Sequence, residues 1–159
     1  VASDKYPMTV NGKMMLEAEL KRLMHDERPA VVKAIEEARS HGDISENAEY
    51  DAAKERQGMI EARIGDLQGK IAGSEVINPA EIKADKIVFG ATVQLLDLES
   101  DDKVTYQIVG VDEADVKQGK ISIMSPIARS LIGKKQKDII TVHSPKGEHE
   151  YEILNFEYK

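Results

Sequence analysis

Cysteine is absent from this chain, which excludes disulfides and thiolate metal sites. Tryptophan is also absent, and Phe and Tyr make up only 4% of the residues, so there is little material for an aromatic-walled pocket. No apolar run is long enough to span a membrane, and no signal-peptide pattern is visible. A soluble, cytoplasmic protein is therefore expected, without membrane partners. No basic excess exists: 22 Lys and Arg stand against 29 Asp and Glu, a net charge of −7. Residues 1–78 hold 11 basic and 15 acidic side chains, and residues 79–159 hold 11 and 14. Neither half concentrates cations as duplex binding requires, so independent DNA binding is expected to be weak or absent. There is no Gly-rich phosphate loop, no Ser/His/Asp constellation, no internal repeat and no low-complexity segment. His25, His41, His143 and His149 lack metal-ligand spacing.

What is present begins with two helical runs. Leu16, Leu20 and Leu23 repeat at four and three; after a one-residue phase shift, Met24, Arg28, Val31, Ile35 and Ala38 continue the pattern. Tyr50, Ala53, Gln57, Ile60, Ile64, Leu67 and Ile71 alternate three and four. This a/d seam predicts two helices packed along a narrow stripe. Few residues separate them, so they are antiparallel neighbours. The first run, from about Gly12 to His41, would be roughly 45 Å long at about 1.5 Å per residue. Pro29 lies inside it and predicts a kink, which fits the phase shift near Met24.

From about Asn78 the texture changes. Ile87–Leu98 and Lys103–Val111 are rich in β-branched residues and flank the polar turn Glu99-Ser100-Asp101-Asp102. Lys120–Met124 and Lys137–His143 predict two more strands. Glu148–Tyr158 alternates through His149, Tyr151 and Ile153, then shifts to Leu154, Phe156 and Tyr158, which predicts a bulge. Ser125-Pro126-Ile127-Ala128-Arg129 predicts an N-capped short helix ending near Gly133. Ser74–Lys86 contains Pro79 and no clear period, so it is the expected linker. The expectation is an α+β chain. Residues 1–77 form a coiled-coil hairpin with an acidic tip at 42–46, and residues 78–159 form a small sheet domain with a short helix.

The segment joining the helical runs is Arg39-Ser40-His41-Gly42-Asp43-Ile44-Ser45-Glu46-Asn47-Ala48-Glu49-Tyr50. Asp43 and Glu46 allow two readings. In one, Asp43 is an N-cap and Glu46 the third helical residue of a capping-box-like turn, both favoured by the helix dipole. In the other, the carboxylates help hold Mg²⁺, a hard cation served by oxygen ligands. Two side chains cannot fill an octahedron, so the remaining ligands would come from a partner, water or substrate phosphate. Arg39, Lys54 and Arg56 lie just behind the turn. They are either solvated flanks in weak ion pairs or a small patch that touches a nucleic-acid strand. Tyr50 lies on the seam and is expected in the core. His41 is close enough in sequence to modulate the tip, although solvation is the plainer expectation.

The stretch His41–Glu55, with Asp43-Ile44-Ser45-Glu46-Asn47-Ala48-Glu49-Tyr50 at its heart, closely resembles the tip of the bacterial Gre transcript cleavage factors. Ile87-Val88-Phe89-Gly90-Ala91-Thr92-Val93 and Ser125–Lys134 are further matches in the family's order, and together they span nearly the whole chain. The acidic balance looks more like the less basic of the family's two types. The resemblance implies an N-terminal antiparallel coiled coil and a C-terminal FKBP-like sheet. It implies docking at the rim of the secondary channel of bacterial RNA polymerase, with the coiled coil reaching the active centre. It implies an accessory factor that stimulates the polymerase to cut the extruded 3′ end of backtracked nascent RNA, and not an enzyme. By residue match, Asp43 and Glu46 are the tip acids, sharing Mg²⁺ with the polymerase and orienting water. The chain would have no cofactor of its own. Arg39 and Lys54 match the RNA-contacting patch, and Ser125, Pro126, Ile127 and Arg129 match a polymerase-docking region. Inhibitory relatives alter the tip, so retention of both acids implies cleavage stimulation.

Two other classes compete. A prolyl isomerase, suggested by the implied FKBP-like sheet, needs an aromatic pocket, and the C-terminal half offers Phe89, Tyr106, Tyr151, Phe156 and Tyr158, several of which suit strand-core positions. An inert coiled-coil adaptor would use the tip charges as caps.

Overall fold

The computed structural model describes residues 6–43 and 47–159. The chain divides into two units. One is Lys13–Ser74; the other joins the N-terminal segment up to Gly12 to Glu75–Lys159. This grouping differs from a single cut after residue 77. The strand β1 (Tyr6–Thr9) pairs with β2 (Ser74–Ile77) in a two-stranded sheet, so the ends of the helical segment are bound into structure that a linker at Ser74–Lys86 did not anticipate. A 3₁₀ turn at Pro79–Glu81, capped by Asn78, follows.

The hairpin consists of α1 (Val10–Arg22), a π turn (Leu23–Glu27), α2 (Arg28–Arg39) and α3 (Ala48–Ala72). Leu16, Leu23, Val31, Ile35 and Ala38 are buried on the first limb, and Ala53, Ile60, Ile64 and Leu67 on the second. Leu20, Tyr50, Gln57 and Ile71 are half-buried beside them. At the expected phase shift the helical run carries the π turn, just before Pro29. Leu23 and Val31 are eight positions apart, one more than a seven-residue seam allows. The Arg28 N–H bonds to the Leu23 carbonyl, five residues back, and this wider turn absorbs the extra residue. Both halves of the seam thereby stay on the partner helix. Pro29 sits in the first turn of α2, directly after the π turn, and having no N–H it donates no bond back into that turn.

Arginine–glutamate bridges set the hairpin's register. Arg63 grips Glu19 through Nε and Nη2 at 2.8 and 2.9 Å. Arg28 grips Glu61 with two bonds of 2.8 Å. Arg56 reaches Glu27 at 2.7 Å. Such exposed pairs add little energy each, but they oppose slippage along a seam of similar apolar residues.

The second unit carries a five-stranded sheet in the order β5-β4-β3-β7-β6. Its strands are β3 (Thr92–Asp97), β4 (Lys103–Val109), β5 (Lys120–Ser122), β6 (Ile139–Ser144) and β7 (Gly147–Glu157). Neighbours are antiparallel except β4 and β5, which run parallel. The predicted bulge is present: Gln94 faces Asn155 while Leu95 faces Ile153, leaving Leu154 as the extra residue. Helix α4 (Pro126–Leu131) covers the core with Ala128 and Leu131, against Ile87, Val93, Leu95, Ile108 and Ile153. The strand expected from Ile87 starts only at Thr92. Ile87 bonds instead with the end of the α4 segment, donating to the Lys134 carbonyl and accepting from the Gly133 N–H. The Tyr158 hydroxyl pins the same loop, donating to the Lys86 carbonyl at 2.7 Å and accepting from the Val88 N–H at 2.9 Å. Phe89, Tyr106, Tyr151, Phe156 and Tyr158 all pack against the core, so these aromatics serve the fold.

Candidate functional site at the hairpin tip

Helix α2 ends at Arg39 because the chain turns through Ser40 and His41 into Gly42, whose φ of +112° suits glycine. Helix α3 starts after Asn47. The Asn47 Oδ1 accepts the Tyr50 N–H at 3.0 Å, and its Nδ2 donates to the Ala38 carbonyl at 2.6 Å. One side chain thus caps the start of α3 and ties it to the last turn of α2. The capping reading of Asp43 is corrected by this geometry: the N-cap of α3 is Asn47, four positions later. The missed signal was an Asn directly before Ala48-Glu49-Tyr50-Asp51, whose two acids occupy the first turn and suit the helix dipole. Glu46 lies outside the described residues.

Asp43 is exposed on the turn. With His41, Asn47, Ala48 and Glu49 it lines an open depression. His41 Nδ1 approaches Glu49 Oε2 at 3.1 Å, so the histidine is engaged across the turn. Among the described residues no group of three or more His, Cys, Asp or Glu is disposed to hold a metal ion. Asp43 offers hard carboxylate oxygens at an open surface, which suits a site completed by another molecule.

The basic residues behind the tip differ in their engagements. The Arg39 guanidinium stacks over the Tyr50 ring, 5.9 Å from its centroid. Tyr50 is half-buried, so its ring supports Arg39 as well as the seam. Lys54 Nζ donates to Gln57 Oε1 at 3.2 Å, an exposed contact. Arg56 is committed to Glu27 and the hairpin register.

In the sheet unit, Ser125 is the N-cap of α4, accepting the Ala128 N–H at 3.2 Å and donating to the Ser122 carbonyl at 2.7 Å. Ile127 packs against the core, while Pro126 and Arg129 are exposed. The structure therefore splits this motif into two structural and two presented residues. It also adds neighbours that the sequence did not single out as site residues: Ile132, Lys134 and Ile139 line a depression beside α4 together with Arg129. Ile139 comes from β6, so its place here depends on the fold. His143 and His149 pair with Glu148 and Glu99. No helix of the described residues is long and apolar enough to cross a membrane.

The comparisons with known proteins agree across the chain. Residues 6–76 match the family "Transcription elongation factor, N-terminal", and residues 82–158 match "Transcription elongation factor, GreA/GreB, C-term". Transcription elongation factor GreA of Ralstonia nicotianae is 60% identical over 153 residues, covering 96% of this chain and 97% of that protein. The GreA of Neisseria meningitidis serogroup A is 58% identical over 155 residues, covering 97% and 98%. That of Acidiphilium cryptum is 57% identical over 150 residues, covering 94% and 96%. With both halves matched in order and full-length relatives at this identity, the chain belongs to the GreA/GreB family of transcription elongation factors, on its GreA side.

Proposed function

We propose that this elongation factor binds RNA polymerase at its secondary channel and stimulates the polymerase's own cleavage of backtracked RNA. The sheet unit docks, through the exposed Pro126 and Arg129 with Ser125 and Ile127 holding their shape. The hairpin delivers Asp43 and Glu46 to the polymerase active centre. Helix α3 alone is 25 residues, or about 37 Å at about 1.5 Å per residue, which suits a reach of that kind. The chain is an accessory factor, and the bond-breaking site belongs to the polymerase.

The observation that carries this reading is the capping assignment. Asn47 secures the start of α3, so an acid at position 43 is not needed to cap that helix. Its carboxylate is placed on an exposed turn, in a sequence otherwise shaped to hold that turn. Asp43 and Glu46 would supply oxygen donors to a Mg²⁺ shared with the polymerase. A second Mg²⁺ in such a centre stabilises charge on the reacting phosphate oxygens and activates water. Arg39, held on the Tyr50 ring, and Lys54 would steady the RNA 3′ end through its phosphates.

The test is a stalled, backtracked polymerase carrying end-labelled RNA. Adding the chain should accelerate release of a 3′ fragment. Replacing Arg39 and Lys54 together with Ala should weaken crosslinking of the RNA 3′ end to the factor, most at low salt and less as salt screens the contact in the parent. A chain that binds polymerase without any change in cleavage rate would overturn the proposal and leave an adaptor role.

A further inference from the structure

Asn47 is half-buried at the tip, and its side-chain amide bonds to both limbs of the hairpin. Its Oδ1 accepts the Tyr50 N–H on α3, and its Nδ2 donates to the Ala38 carbonyl near the end of α2, nine positions back. The same carbonyl accepts the His41 N–H at 3.2 Å. The chain entering the turn and the chain leaving it therefore converge on one oxygen, with Asp43 between them. Asn47 also bears on the cation behind the turn. Arg39 follows Ala38 in sequence, and its guanidinium rests on the ring of Tyr50, the residue whose N–H Asn47 holds. All of these groups lie within Lys13–Ser74.

A helix cap needs only the acceptor half of this amide. Serine and aspartate cap about as well as asparagine does. Neither has an amide N–H for the Ala38 carbonyl: aspartate has no proton to give there, and serine is one atom shorter. What the donor half adds is closure of the segment that carries Asp43. A short segment held at both ends samples fewer conformations than one held at a single end. The His41–Glu49 pair crosses the same turn but is exposed, so it holds the turn weakly. We infer that Asn47 is a positioning residue: by bonding to Ala38 it fixes Asp43 and Arg39 in one frame. On the proposed function, on which this rests, the tip then presents its carboxylate to Mg²⁺ and its cation to the RNA phosphates at a set separation. Neither group has to be ordered when the reaction begins.

The test compares Asn47→Ser and Asn47→Asp with the parent, all as full chains. Both variants keep the cap of α3 and lose the donor. Amide relaxation by NMR reads the order of the turn, and the backtracked, end-labelled complex reads cleavage across a Mg²⁺ titration. Helix content and polymerase binding should match the parent in both variants. The Gly42 and Asp43 amides should lose order, with order parameters falling below about 0.6, while those within α3 stay near about 0.85. The Mg²⁺ needed for half-maximal stimulation should rise about tenfold, within the range that misplacing a reacting group can cost. The variants differ in charge, which separates positioning from electrostatics. An added carboxylate alone would draw Mg²⁺ in and lower the requirement, so a rise in Asn47→Asp as well as in Asn47→Ser supports positioning. Opposite shifts in the two variants would overturn the inference, as would parent-like order or a parent-like Mg²⁺ requirement in Asn47→Ser. If the parent itself fails to stimulate cleavage, the proposed function is wrong, and the order of Gly42 and Asp43 still decides whether the Ala38 bond holds the turn.

Discussion

The hairpin and the sheet unit achieve stability by different means. In the sheet unit, Ile87, Val93, Leu95, Ile108, Leu131 and Ile153 are entirely sealed from solvent. In the hairpin that holds of Val31 and Leu67, while Leu16, Leu23, Ile35, Ile60 and Ile64 keep a few per cent of exposure. A two-helix seam has no third layer to cover it, so it relies on Arg–Glu bridges, a cap and a π turn for register. The lesson is a division of labour. On the proposed function, a dense core suits a body that holds a docking surface, and a thin polar rod suits an arm that reaches through a confined space with its charges outward.

The largest test of this contrast is in the cores. Leu95→Ala should cost about 3–5 kcal/mol, near the top of the range for a sealed site that cannot collapse, and Ile60→Ala about 2 kcal/mol. Denaturant unfolding followed by helix signal and by Tyr fluorescence would separate the units. Equal costs would erase the contrast.

Next in size is the tip. Asn47→Ala removes the cap of α3 and the bond to the Ala38 carbonyl, and should cost about 1 kcal/mol, confined to the hairpin transition. Asp43→Ala should cost less than Asn47→Ala, because it leaves the cap of α3 in place. If the order reversed, Asp43 would be a structural residue after all.

The bridges come third. A double-mutant cycle on Glu19 and Arg63, both partly exposed, should give a coupling under about 1 kcal/mol. Its pH dependence has a definite sign. The bond from Arg63 holds the Glu19 carboxyl below its ordinary value of 4.5. The folded state therefore binds the proton less readily than the unfolded one. This contribution is complete above about pH 4.5 and fades as pH falls through the lowered folded value. Hairpin melting between pH 7 and pH 3 should show it, and Glu19→Gln should flatten that part of the profile.

The smallest effect concerns the π turn. Deleting His25 together with Pro29→Ala should leave helix content nearly unchanged, since the seam then runs at regular spacing through an ordinary α-helix. If the π turn had no part in register, the deletion would rotate half the seam away and unfold the hairpin.

The seam was legible in the sequence because burial in a two-helix rod follows one period, and nearly every residue picked out by that period is buried or half-buried. The Leu154 bulge was legible because a phase change in a strand has few other causes. The phase shift near Met24 was visible too, but the wider turn that accommodates it was not, because a one-residue slip in the period does not say which turn absorbs it. Strand β1 and the buried hydrogen bonds from Thr9 to the Glu113 carboxylate escaped because both depend on partners far along the chain. The only local trace of that pairing is a Thr followed three residues later by Gly12, where a capping box would place Glu. At the tip, the spacing of Asp43 and Glu46 imitated a capping box, and the true cap stood one residue beyond it.

The account rests most directly on Asp43. Cleavage of a backtracked, end-labelled transcript should be measured with Asp43→Asn at saturating factor across a Mg²⁺ titration, alongside polymerase binding and hairpin melting. The account predicts unchanged binding and melting, with cleavage stimulation lost at low Mg²⁺ and partly recovered at high Mg²⁺. Full stimulation by Asp43→Asn at limiting Mg²⁺ would contradict it.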